Sequence, residues 1–593
     1  MKKHLLLFAL VLSFFTLYSQ VTVVDTNNVA ASVNTSGSLF RSISNMAGFE
    51  FPKGSGIHTI FASSLWLGGV TPDSQLKLAA GMYGNEQGDY YTGPLTVDGT
   101  ATITPETMEA YDQVWLANAA DVQTHLLFLE SIANNTYDEV FPDGYTTPEW
   151  FFEWPAMGNY LEGQALFLAP FMDYDGDLVY DPSNGDYPLF PGDECAYMIL
   201  NDRGGLHYQS LGQPIGLEIH CFVYSFNDEL NEALNNSVFV RYEIINRGSG
   251  TYTDVYAGIW SDLDIGTGID DYIASHVEQA AYYAYNGDTF DEASFSSGGY
   301  GEAPPIQAVA VLSGPLKPAD ETDDLLPAEL GVYETYGPYG PGYNDGIIDN
   351  ERIGLTNFMY LTTGSDPITG EPSNAPDYYN SMRGIWKNGQ MLSYGLDGVA
   401  DSGMGESIEA DYAFPGTSDP MFVGTQGIET TEWSEGTVGN TPGDRKGIGA
   451  IGPFMLAPGD HQTIDIVYSS IASEGEDNDP EQLVGENIGA LRQFFFDEIY
   501  SEIPPLGVTV GIEEQLTAPS TLRVYPNPAV DLVSITHLSN SLIKVFAADG
   551  RLVSQWFSQG KTSQFDTSPL ESGVYLVVSN SEGEMRSVML IRE

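Results

Sequence analysis

From Ser237 to Asn246 the chain reads Ser-Val-Phe-Val-Arg-Tyr-Glu-Ile-Ile-Asn, a run rich in β-branched and aromatic residues with alternating character. Such residues fit a pleated strand, where successive side chains point to opposite faces. The turn Arg247-Gly248-Ser249-Gly250 and a second run, Thr253 to Trp260, follow at once. That order predicts a β-hairpin within a β-sandwich. Phe454 to Ser470 reads as another strand, with Pro458-Gly459-Asp460 as its leading turn. Two segments change to the helical period: Asn118 to Ile132, through Val122, Leu126, Leu127 and Phe128, and Glu481 to Ile499, through Leu483, Ile488, Leu491 and Phe495. Residues 303–447 are rich in Gly, Pro, Asp and Tyr and predict long ordered loops.

The chain is long enough for several cores. The expected division is a mixed N-terminal domain over 21–212, a β-sandwich body with long loops and a late helix over 213–500, a linker over 501–518 around Ile503-Pro504-Pro505, and a small β domain over 519–593. The fold class expected is mainly β and multidomain, with few helices.

Lys2 and Lys3 before the apolar run Leu5 to Leu17, then Tyr18-Ser19-Gln20, make the three zones of a secretory signal peptide over residues 1–20. No later stretch is apolar enough over the length needed to span a bilayer as a helix. With 82 acidic against 21 basic residues the formal charge is −61, which excludes nucleic acid and anionic membrane as natural partners. Cys195 and Cys221 form an even pair that can oxidise after export, the alternative being two buried thiols.

The end of the chain resembles a known family. Val524-Tyr525-Pro526-Asn527-Pro528, then Asp549-Gly550-Arg551, then Ser572-Gly573-Val574-Tyr575-Leu576-Val577 and a last strand follow one another as in the type A C-terminal sorting domain of type IX secretion cargo. The resemblance covers residues 519–593 and implies an immunoglobulin-like β-sandwich. Its motif residues would be Tyr525, Pro526, Asn527, Pro528, Gly550, Gly573 and Tyr575. It also implies the type IX translocon and sortase as partners, removal of the domain after export, and transfer of the cargo to surface lipopolysaccharide. The body resembles uncharacterised large exported proteins of Bacteroidetes through segments such as Gly258-Ile259-Trp260-Ser261-Asp262-Leu263-Asp264 and Asn440-Thr441-Pro442-Gly443-Asp444-Arg445. That likeness carries no reaction.

Three acidic clusters invite a hard cation. The sharpest is Asp173-Tyr174-Asp175-Gly176-Asp177-Leu178-Val179-Tyr180-Asp181, where carboxylates at alternate positions of a short loop can turn inward. Calcium takes six to eight oxygen ligands at about 2.3 to 2.6 Å. The glycine stands fourth and Asn184 twelfth, so an EF-hand is a poorer match than a calcium-bound β-loop. Asp173, Asp175, Asp177 and Asp181 are its expected ligands. Asp262, Asp264, Asp270 and Asp271 form the second cluster, and Asn344, Asp345, Asp349 and Glu351 the third. Each would order a loop with little apolar content. The competing reading of all three is a solvated, Asp-rich turn.

Nothing catalytic stands out. The histidines have no zinc-protease spacing, and no Gly-x-Ser-x-Gly elbow is present. Trp150-Phe151-Phe152-Glu153-Trp154 and the series Tyr333, Tyr336, Tyr339, Tyr343 can either face sugar rings or pin loops to the core. The function expected is therefore a non-enzymatic secreted or cell-surface protein, structural, adhesive or glycan-binding, with loops held by Ca2+. A secreted hydrolase of polysaccharide or protein is the alternative.

Overall fold

The structure, a computed structural model, describes residues 21–42, 46–83, 88–294, 298–326, 336–400, 407–473, 479–510, 522–525, 529–530, 532–537, 539–547, 551–570, 572–581 and 584–592. The expected signal peptide lies outside them.

Two antiparallel nine-stranded sheets make the body. The first runs through Val21–Val24, Ala30–Asn34, Phe49–Glu50, His58–Val70, Tyr252–Leu263, Arg445–Leu456 and Asn357–Thr362, with Ser38–Leu39 and Leu76–Ala80 also paired to His58–Val70. The second runs through Asp271–His276, Ala281–Asn286, Ile306–Ser313, His461–Ile471, Ser237–Asn246, Leu217–Ser225, Glu194–Asn201 and Tyr91–Thr92, with Trp115–Asn118 also on Glu194–Asn201. Both sheets draw strands from either side of residue 212.

The sheets face each other across an aromatic core. Phe40 and Tyr468 meet edge to face at 4.8 Å, and Tyr282 stacks on Phe358 at 5.0 Å. Gly447 and Gly449 permit that stack, because a Cβ on either would stand 2.7 Å from the Tyr282 ring. Burying each ring stabilises by roughly 1.5 to 3 kcal/mol. Helices cover the outer faces. Ala375–Met382 sets Tyr378 and Met382 against Trp66 and Trp260 of the first sheet. Pro480–Phe494, capped by Asp479 and continued as a π-helical turn over Phe495–Ile499, buries Val484, Ile488 and Leu491 on the second. Ser237–Asn246 therefore has nine of ten residues buried, and simple in–out alternation is lost.

The expected hairpin does not form. Ser237–Asn246 pairs with Leu217–Ser225 and His461–Ile471, whereas Tyr252–Leu263 pairs with His58–Val70 and Arg445–Leu456. The turn at 247–251 carries the chain from one sheet to the other, as sandwich corners do. Asn246 fixes that corner: Nδ2 donates to the Gly250 carbonyl at 2.8 Å, and Oδ1 accepts from Gly248 N at 3.0 Å. The turn before His461 is a second sheet-to-sheet crossing, and Gly459 N donates to the Asn246 carbonyl at 2.8 Å.

The helix expected at Asn118–Ile132 is present as Ala119–Ala133 with Asn118 as cap, but it buries His125 and Ser131 and exposes Leu126 and Leu127. Among the described residues, 303–447 supply the strands Ile306–Ser313 and Asn357–Thr362 and the helices Ala375–Met382 and Glu435–Val438, with turns and coil between. Cys195 and Cys221 are free and buried. The register sets Cys195 opposite Tyr224 and Cys221 opposite Met198. That three-residue offset spans roughly 10 Å along a strand, beyond disulfide reach.

At the C-terminal end, Arg523–Tyr525, Leu532–Thr536 and Thr562–Asp566 form one sheet, and Leu552–Ser558, Ser541–Ala547, Gly573–Ser581 and Glu584–Arg592 a second. Val533, Ile535, Ile543, Val545, Tyr575 and Leu590 share their core. Of the expected linker, Val508–Val510 adds a parallel strand to Phe171–Asp173.

Candidate metal centres and the sorting domain

The loop after Phe171–Asp173 folds around its first carboxylate. Asp173 is fully buried, with Oδ1 accepting from Gly176 N at 2.7 Å and Oδ2 from Leu178 N at 2.8 Å. Asp175 accepts from Asp177 N at 3.2 Å, and Asp177 from Val179 N at 2.7 Å. Carboxylate oxygens of Asp173, Asp175 and Asp177 lie within 4.8 Å of one another, the last two residues exposed. Gly176 (φ 77°) and Leu178 (φ 62°) take the left-handed backbone that lets the loop close this tightly. Asp181 stands outside the trio and caps the one-turn helix Pro182–Asn184. A further carboxylate at this loop is Asp186, fully buried, which accepts from Tyr174 N and Asp181 N at 2.8 Å each. Spacing gave no warning of it, since the chain returns to the loop only through the left-handed turn at Gly185. Burial raises the pKa of Asp173 and Asp177 and pushes Asp186 up to about 6. The converging oxygens of Asp173, Asp175 and Asp177 are hard ligands, which suits calcium or another hard cation.

The second cluster forms across two strands. Asp262 sits directly opposite Lys446 in the pairing of Tyr252–Leu263 with Arg445–Leu456. Two residues along each strand, Asp264 and Asp444 point the same way, and oxygens of Asp262, Asp264 and Asp444 lie within 4.8 Å of one another. A cation already stands there: Lys446 Nζ is 3.3 Å from Asp262 Oδ1 and 2.5 Å from Asp444 Oδ1, and it donates to Thr363 Oγ1 at 2.6 Å. Tyr83 OH donates to Asp262 Oδ2 at 3.0 Å. Burial opposes the Lys446 ammonium, but Asp262 and Asp444 outweigh it and hold its pKa above the ordinary value. Burial pushes Asp262 up to about 6 and raises Asp264 further. Asp270 and Asp271 are not in the trio. Asp271 Oδ2 accepts from Ile265 N at 2.8 Å, and buried Oδ1 atoms of Asp270 and Asp271 have no hydrogen-bond donor among the described residues. Asp444 lies far along the chain from Asp262, so no local spacing could reveal it.

The third cluster does not converge among the described residues. Asp349 accepts from Asp320 N and Glu321 N at 2.7 and 2.9 Å, and Glu351 from Asp324 N at 2.5 Å. Asp345 accepts from Ile347 N at 2.8 Å, and Asn344 N donates to the Asp324 carbonyl at 2.8 Å. These side chains and this backbone knit two loops together.

The aromatic segments pin loops. Trp154 Nε1 donates to the Pro170 carbonyl at 2.8 Å, Trp150 Nε1 to Asp121 at 2.9 Å, and Phe151 is fully buried. Tyr336 is buried, and Tyr333 lies outside the described residues. Buried His220 bonds Tyr197 and Glu218.

In the C-terminal domain, Tyr525 ends a strand opposite Ser534, Gly573 pairs with Arg592, and Tyr575 is packed in the core. Pro526, Asn527, Pro528 and Gly550 lie outside the described residues. Residues 523–592 match the family described as the secretion system C-terminal sorting domain. The chain is thus a type IX secretion cargo, addressed to the cell surface or the medium, and no helix among its described residues is long and apolar enough to cross a membrane. No curated protein matches it. Among solved structures it is similar to PorZ, an essential bacterial surface component of the type IX secretion system of Porphyromonas gingivalis, at 23% identity and TM-score 0.12, over 12% of this chain and 11% of that one. It is also similar to a polysaccharide lyase at 10% identity and TM-score 0.18, over 63% of this chain and 34% of that one. The chain spans about a third or less of either protein.

Proposed function

We propose that this cargo is a non-enzymatic surface or secreted protein with structural, adhesive or glycan-binding duties, whose body is held together by calcium at its acidic loops. The observation that carries the calcium reading is the loop at Asp173, Asp175 and Asp177, whose carboxylate oxygens converge while backbone amides hold Asp173 in place. Raised carboxyl pKa values around Asp173 and Asp186 support it, because a divalent cation relieves the burial and mutual repulsion that cause them. The ion would be structural, supplying order to a loop whose apolar content is small. Outside the cell, the sortase and surface lipopolysaccharide are the partners that the sorting domain implies.

The test is thermal unfolding of the secreted chain after removal of divalent ions, with calcium, magnesium or sodium chloride of matched ionic strength added back. A shift selective for calcium and lost in Asp175→Asn supports the reading. Equal shifts from all three salts would sink it, leaving the clusters as solvated turns.

A further inference from the structure

We propose that the body carries a binding cleft for an amino sugar with a free, protonated amine, built by the excursion between Gly416 and Trp433. The inference deepens the glycan-binding reading above and rests on it for ligand class, while owing nothing to the calcium sites.

Gly416 and Trp433 close the excursion by mutual backbone bonds, Gly416 N to the Trp433 carbonyl at 2.9 Å and Trp433 N to the Gly416 carbonyl at 3.4 Å. Between them lies a cleft of about 190 Å³. Pockets for drug-sized ligands run from roughly 300 Å³ upward, so this one suits a single small ring. Buried Trp433 and Tyr412 line it together with half-buried Tyr394 and Phe422, so the ring surface open to a ligand belongs to the latter two. Phe422 (φ 55°) and Gln426 (φ 52°) are both left-handed without being glycine, a strain that surrounding structure must maintain.

The polar part of the cleft is one-signed. Asp419 and Glu432 line it, and no Lys or Arg does. Glu481 reaches the rim from the start of the late helix and accepts from Thr417 N at 2.9 Å. None of these three carboxylates forms an ion pair among the described residues. Asp419 is held in place by Val423 N at 3.0 Å, Gly424 N at 2.8 Å and the Tyr336 hydroxyl at 3.2 Å. Glu432 is exposed and makes no hydrogen bond among the described residues.

Unbalanced carboxylates beside aromatic faces select an organic cation over a metal ion, because ring faces attract ammonium groups and supply no lone pairs to complete an oxygen shell. Carboxylates accept both from an ammonium and from hydroxyls, and aromatic faces cover the apolar side of a sugar ring. An amino sugar satisfies all three requirements at once; a neutral sugar leaves the charge unmatched.

The experiment is titration of the full secreted chain, with calcium held constant, against glucosamine, N-acetylglucosamine, glucose and lysine amide, followed by ligand-observed NMR and calorimetry. Glucosamine is expected to bind with Kd on the order of 1 mM and the acetylated sugar about tenfold more weakly. Glu432→Gln should weaken glucosamine about tenfold without moving the unfolding midpoint, and Phe422→Ala should weaken every sugar. Equal binding of the two hexosamines, an unaffected Glu432→Gln variant, or no glucosamine binding would overturn the proposal. Lysine amide binding as well as glucosamine would overturn the sugar assignment. Because binding is read directly, its failure is distinct from failure of the adhesive reading, which a neutral glycan bound elsewhere on the body would still satisfy.

Discussion

The two carboxylate trios meet the same electrostatic problem in different ways. At Asp173, Asp175 and Asp177 the chain stays local, two of three residues are exposed, and backbone amides hold the buried one. At Asp262, Asp264 and Asp444 the residues come from two strand ends, Asp262 is 4% exposed, and the Lys446 ammonium pairs with Asp262 and Asp444. A water-accessible loop can leave its counter-charge to a soluble ion. A buried strand pair cannot wait for one, because unpaired buried charge costs several kcal/mol. The difference teaches that acidic density alone does not define a metal site; what matters is whether the protein already provides the cation.

The sharpest way to break this comparison is Lys446→Met. Removing the ammonium should destabilise the protein by roughly 3 to 5 kcal/mol in urea unfolding, and calcium should restore part of the loss by entering the vacated space. Second in size is calcium itself acting on the unaltered chain. At a hundredfold excess over Kd it should add about 2.7 kcal/mol, and Asp175→Asn should remove that gain while Asp264→Asn leaves most of it. Asp173→Ala should then cost about 2 kcal/mol even without calcium, because Gly176 N and Leu178 N lose their acceptor, as denaturant midpoints will show. Gly176→Ala should cost about 1 kcal/mol through its left-handed backbone alone, since the added Cβ would meet no atom within 4 Å.

A separate expected effect is a pH slope. Asp186 and Asp262 keep their protons up to about pH 6 in the folded chain and release them at lower pH when unfolded. The folded state therefore binds more protons between about pH 4 and 6, and its stability falls as pH rises across that window. Saturating calcium should flatten the part owed to Asp186 and leave the part owed to Asp262. Unfolding midpoints at half-unit pH steps, with and without calcium, will separate the two.

Much of this was legible in the chain. The strand runs, both long helices and the sorting domain are local patterns of two or three-and-a-half residues, and each is written where it folds. The Asp173 loop is equally local, so three of its four expected ligands come together. Asp186 escaped because a left-handed turn, not spacing, brings it back. The helix at Ala119–Ala133 was placed correctly but read on the wrong face, since the pocket around His125 is built by Tyr145, Phe151 and Tyr187 from later in the chain.

By itself, then, the sequence determined the export address, the mainly β character and the acidic loop after Phe171–Asp173, because each depends on neighbours along the chain. Only the tertiary structure decided that the run after Ser237–Asn246 crosses to the other sheet, that Cys195 and Cys221 stand apart, and that Lys446 serves Asp262. Those outcomes depend on which strands pair, and pairing is settled by burial over the whole body: a strand covered on both faces has no polar side left to announce its partners.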